Sequence, residues 1–93
     1  MSSGNSKTKI SMPQISNFFG IIIKMFYDEH NPPHFHAIYG EFMGAITIET
    51  LEMIEGDLPQ KALSLAKEWA EEHKHALINI WKTQQFVKLP PLE

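Results

Sequence analysis

The chain has 93 residues, 43% of them hydrophobic, with no cysteine and a formal net charge of −3. That length supports one modest core, and the missing cysteine excludes a disulfide scaffold, a thiolate metal site and a cysteine nucleophile. All eight basic residues are lysines, so the planar fork with which arginine grips phosphate or guanine is absent, and an acidic chain without it argues against charge-driven nucleic-acid binding.

In chain order, "MSSGNSKTKIS", residues 1–11, reads as a flexible polar tail, and a single domain is expected over residues 12–93. "FFGIIIKMFY", residues 18–27, is rich in aromatic and β-branched side chains and predicts a first strand. Its odd positions, Phe19, Ile21, Ile23, Met25 and Tyr27, form the better core face, leaving Phe18, Ile22, Lys24 and Phe26 on the other side. "DEHNPP" breaks the pattern, because two prolines remove backbone donors and hold the chain extended, and a loop is expected there. "HFHAIY" and "FMGAITIE" follow as strands two and three, joined by Gly40 and Glu41 in a connection that suits a type II′ hairpin. A turn over residues 49–51 leads to "EMIE" as a short fourth strand ended by Gly56, completing a four-stranded antiparallel meander.

The periodicity then changes to that of a helix. Asp57 reads as the cap, with Gln60 three residues on and Pro59 in the first turn. Leu63, Ala66, Trp69, Ala70, His73, Leu77, Ile80 and Trp81 recur at helical spacing and predict a helix over about residues 59–85 packed on one face of the sheet. An unbroken helix of that length, roughly 40 Å, exceeds what a domain of this size accommodates, so a kink is expected at residues 73–75. "FVKLPPLE" closes the chain as an extended tail. The fold class is therefore α+β.

The chemistry concentrates in "HNPPHFH", residues 30–36. With Phe35, Ala37 and Tyr39 turned toward the helix, alternation puts His34, His36 and Ile38 on the opposite face, with the two imidazoles as neighbours. Such a pair can share one divalent ion, zinc, nickel or iron, with His30, Asp28 or Glu29 as a third ligand. His30, His34 and His36 can equally serve as general acid and base, with Lys24 as the one cation on that face, or simply hydrogen-bond around the Pro-Pro turn. His73 and His75, two apart on a helix, cannot meet on one ion. His73 reads as a core histidine and His75 as solvated, while Trp69 and Trp81 read as core anchors. Phe18, Ile22, Phe26 and Ile38 make the second sheet face apolar, and such a surface on a small chain suits a protein partner or a second copy.

Residues 12–82, with an isoleucine-rich first strand, the His-x-Pro-Pro-His-x-His run, a glutamate-bearing hairpin and a Leu-Pro opening to a helix containing Glu-Trp-Ala, resemble the bacterial domain of unknown function 4160 family. The resemblance implies a small bacterial protein, often encoded beside one of the domain of unknown function 2442 type in a pairing like toxin–antitoxin modules, and it carries over no settled activity or catalytic residues. Both lines together lead to two expectations. One is a protein-interaction component of a toxin–antitoxin-like pair, with the histidines at or beside its binding surface. The other is a ribonuclease-like toxin or metal-assisted hydrolase that uses the histidine cluster. No apolar run reaches the roughly 18 residues of a membrane span, so a soluble, cytoplasmic protein is expected.

Overall fold

A computed structural model describes residues 13–93; the expected tail at residues 1–11 lies outside them. Five strands, β1 (Gln14–Phe18), β2 (Ile21–Lys24), β3 (His34–Tyr39), β4 (Phe42–Thr47) and β5 (Met53–Asp57), are followed by helices α1 (Gln60–Glu72) and α2 (Lys74–Thr83). The strands pair antiparallel in the order β1-β2-β3-β4-β5, so the architecture is an α+β meander with helices at the C-terminal end. No helix among the described residues is long and apolar enough to cross a membrane.

The extra strand comes from the segment read as one strand over residues 18–27. The chain reverses at Phe19 and Gly20, both at positive φ (48° and 81°), so Phe18 ends β1 and Ile21 begins β2 as cross-strand partners. A two-residue turn with two positive φ values ordinarily takes Asn-Gly or Gly-Gly, and phenylalanine hid it. Ile21, Ile23 and Met25 are buried as expected, whereas Phe19 and Tyr27, placed on the same core face by alternation, are 59% and 49% exposed. Phe18 moves the other way. Assigned to the second face by parity, it belongs to a different strand, is only 5% exposed and stacks on Trp69 with ring centroids 5.6 Å apart.

The β3–β4 hairpin has the expected connection, with φ 61° at Gly40 and Glu41 outside the positive-φ residues, as a type II′ turn requires. Gly56 lies within β5 instead of ending it. At φ 86° its backbone sits so close to Met43 that a Cβ would stand 2.1 Å from the Met43 carbonyl oxygen, which leaves glycine as the residue that fits.

Pro59, not Asp57, is the N-cap of α1, and no side chain caps it, because Asp57 is still held in β5. The single helix expected over residues 59–85 is two helices that meet at His73 (φ −119°, ψ 22°). The break falls inside the expected interval. It lets Trp69 and Ala70 of α1, and Leu77 and Ile80 of α2, enter one core with Ile15, Ile21, Ile23, Phe35, Ile46 and Ile48. The final segment is extended and anchored: Leu89 N–H donates to the Ile15 carbonyl (2.8 Å), Trp69 Nε1–H donates to the Pro90 carbonyl (2.8 Å), and Leu92 is buried.

Candidate metal centre

Strand parity around the histidines follows the expected alternation. Phe35 and Ala37 are fully buried on the Trp69 side, and His34, His36 and Ile38 alternate with them toward the other face. The loop between β2 and β3 then turns back over that face. It is tied down from outside, as Asp28 N–H donates to Gln84 Oε1 (3.1 Å) and the Tyr27 ring meets Phe86 edge-on at 4.5 Å. Directly after these contacts in the chain, Glu29 projects its carboxylate at the two imidazoles. Its Oε1 lies 2.6 Å from His34 Nε2 and 3.5 Å from His36 Nε2.

The hydrogen bonds set the state of His34. The Pro32 carbonyl can only accept, so His34 Nδ1–H donates to it at 2.7 Å, and Nε2 is the nitrogen that faces Glu29. A carboxylate also only accepts, so a 2.6 Å contact between it and Nε2 carries a shared proton, giving a short charge-assisted bond in a side chain only 9% exposed. For a divalent cation to take that proton's place, the carboxylate and the imidazole have to part from 2.6 Å, because bonds of about 2.0 Å at a tetrahedral angle set two zinc ligands roughly 3.3 Å apart. The Nδ1–H bond to a backbone carbonyl is the outer contact that orients metal-ligating histidines.

His36 is different. At 3.5 Å its Nε2 is near Glu29 but forms no hydrogen bond, and it is a buried polar atom without a partner. The ring is sandwiched by packing, stacked on Phe26 at 4.3 Å and set edge-on to His34 at 5.1 Å. Burial pushes its pKa below the ordinary 6.5. The Glu29 carboxylate pulls upward, His34 pushes down again and Glu55 pulls weakly upward, with burial prevailing. A lowered histidine pKa means that below 6.5 the unfolded chain takes a proton the folded one resists. Stability therefore falls as pH drops through 6.5, and this loss levels off below the folded value. Urea midpoints measured at about pH 7.5 and about pH 5.5 should differ more for the wild-type chain than for His36→Asn. Equal differences would remove His36 from the pH response.

The structure thus brings together Glu29, His34 and His36, whose candidate ligand atoms all lie within 4.8 Å of one another. It leaves out three candidates from the sequence. His30 and Asp28 are exposed, Asp28 being engaged through its backbone with Gln84, and Lys24 is not part of the cluster although it pairs with His36 across the sheet. The sequence did not point to Trp81, whose ring lies 5.3 Å from His34, or to Phe26 as the support of His36. His73 is half-buried beside Trp69 at 5.0 Å, His75 is exposed, and neither approaches the cluster.

Comparison with known proteins adds one decisive match: the family described as Domain of unknown function (DUF4160) matches residues 20–82. The chain belongs to the DUF4160 family. The DUF4160 match runs from the β1–β2 turn into α2 and contains Glu29, His34, His36 and Trp81, while β1 and the anchored C-terminal segment lie outside it. No curated protein and no solved structure is detectably similar to the chain.

Proposed function

We propose that the chain binds one divalent transition-metal ion through Glu29, His34 and His36, and that this centre is its functional site. The observation that carries the reading is the buried, unpartnered His36 Nε2 beside a His34–Glu29 pair in which the Nδ1–H bond to the Pro32 carbonyl turns Nε2 toward the carboxylate. Two imidazoles and one carboxylate suit zinc, nickel or iron(II), and three protein ligands leave a coordination position for water or substrate, the arrangement that metal-assisted hydrolysis needs. A shallow depression of about 310 Å³, lined by Phe26, His36, Met43 and Glu55 among others, borders the cluster and supplies room for a reactant. Calorimetric titration of chelator-treated protein should find one equivalent of zinc, and Glu29→Gln or His36→Ala should weaken that binding by about 10-fold to 100-fold or more. Titration that finds no stoichiometric binding of zinc, nickel, cobalt or iron(II) ends the proposal.

A second reading, the interaction component of a toxin–antitoxin-like pair, has its own support. Ile22, Ile38 and Met43 are successive cross-strand partners, so they form an apolar row over three strands on the histidine face, and Met43 is 46% exposed. Phe18 no longer contributes, and Phe26 is committed to His36. In this reading Met43→Glu abolishes co-purification of the neighbouring gene product or self-association in sedimentation. Association that survives the change counts against this surface.

A further inference from the structure

The β1–β2 turn places a bulky aromatic where its backbone is strained and its side chain gains little. Phe19 sits at φ 48°, a region that phenylalanine rarely adopts, and is 59% exposed. Backbone strain of this kind clusters at active sites, ligand clamps and switch regions, although Leu51, at φ 60°, carries it in the core. The Phe19 ring stands at the rim of a depression of about 540 Å³, within the size range of small-molecule sites. Tyr39, half-exposed and packed 3.5 Å from the Cβ position of Gly20, forms a second aromatic wall, and Ile21, Ala62 and Leu65 make the floor. One lining residue is charged. Lys61 has no ion-pair partner among the described residues, and no acidic side chain occupies the first turn of α1 to neutralise it.

We propose that this depression binds a small aromatic carboxylate, with its ring between Phe19 and Tyr39 and its carboxylate on Lys61 Nζ. Two aromatic walls favour a flat, rigid ring over a flexible chain, since a rigid ligand loses less conformational freedom. The single free ammonium selects the anionic head group. The site lies on the Trp69 side of the sheet, beside α1, and is independent of the histidine centre.

The test uses the full chain in chelator with three probes of one shape: 2-naphthoate, naphthalene-2-methanol and 2-naphthylmethylammonium, followed by calorimetry and by amide shifts of residues 19–21 and 61–65. The expected result is saturable 1:1 binding of 2-naphthoate, weaker binding of the alcohol and none of the ammonium. Lys61→Glu should lower 2-naphthoate affinity about tenfold or more. Phe19→Gly should raise the melting temperature, by relieving the strained turn, while abolishing binding. The proposal is overturned by equal binding of all three probes, by no saturation at millimolar ligand, by unchanged affinity in Lys61→Glu, or by a lower melting temperature in Phe19→Gly. A dimer in sedimentation that Phe19→Glu dissolves also overturns it, because a second copy then covers the aromatic rim.

Discussion

Trp69→Ala should leave the protein largely unfolded near its present melting temperature. Trp69 is fully buried, stacks on Phe18 and meets Phe35 edge-on at 6.0 Å, so it joins β1, β3 and α1 through one side chain. Removing a core tryptophan costs about 3–5 kcal/mol when the surroundings cannot close the cavity, and here the facing wall is a sheet that cannot collapse inward. The indole N–H also holds the Pro90 carbonyl, so the C-terminal segment loses an anchor in the same step. A chain of this size has a stability of roughly 5–15 kcal/mol, and each kcal/mol moves its melting temperature by about 4–8 °C. The expected drop in a circular-dichroism melt is therefore about 15 °C or more. Trp69→Phe, which keeps a ring but loses the donor, should fall between Ala and wild type. If Trp69→Ala melts within a few degrees of the wild-type chain, the indole is not the centre of this core.

Zinc should stabilise the chain by an amount that Glu29→Gln cuts to about half or less. A ligand that binds only the folded state adds about 2.7 kcal/mol at one hundred times its dissociation constant, equivalent to roughly 10–20 °C in a domain of this length. Glu29→Gln is the informative change. Its amide N–H can donate to the bare Nε2 of a neutral His34, preserving the metal-free packing, while the anionic ligand is gone. His34→Ala is less clean, because it also releases the Pro32 carbonyl and removes the ring packed near Trp81. Melting curves with zinc, at one hundred times the wild-type dissociation constant, and with chelator should separate for the wild type and separate by about half as much or less for Glu29→Gln. Coincident curves for both chains, at zinc concentrations where titration detects no binding, would show the cluster to be a structural hydrogen-bond group and nothing more.

Several elements were legible from residue order because their causes are local. The β3–β4 hairpin needed only a glycine with positive φ between two alternating strands, and the helical stripe through Ala66, Trp69, Leu77 and Ile80 needed only periodicity. The break at His73 followed from length against domain size. The first strand was misread for a local reason too. Phe19 does not look like a turn residue, so Gly20 was the sole signal of a reversal, and missing it moved Phe18 to the wrong face.

The candidate site divides along the same line. Residue order by itself determined that His34 and His36 share one face of a strand, because side chains on a strand alternate whatever the strand packs against. It also determined the proline loop beside them and the absence of arginine and cysteine from any chemistry the protein performs. Tertiary structure alone decided that Glu29, not His30 or Asp28, is the third member. That choice depends on where the loop is tied, and its ties reach Gln84 and Phe86, more than fifty residues away along the chain. Tertiary structure likewise decided which imidazole is hydrogen-bonded and which is left without a partner. Burial and orientation are properties of the packed whole, and no local pattern encodes them.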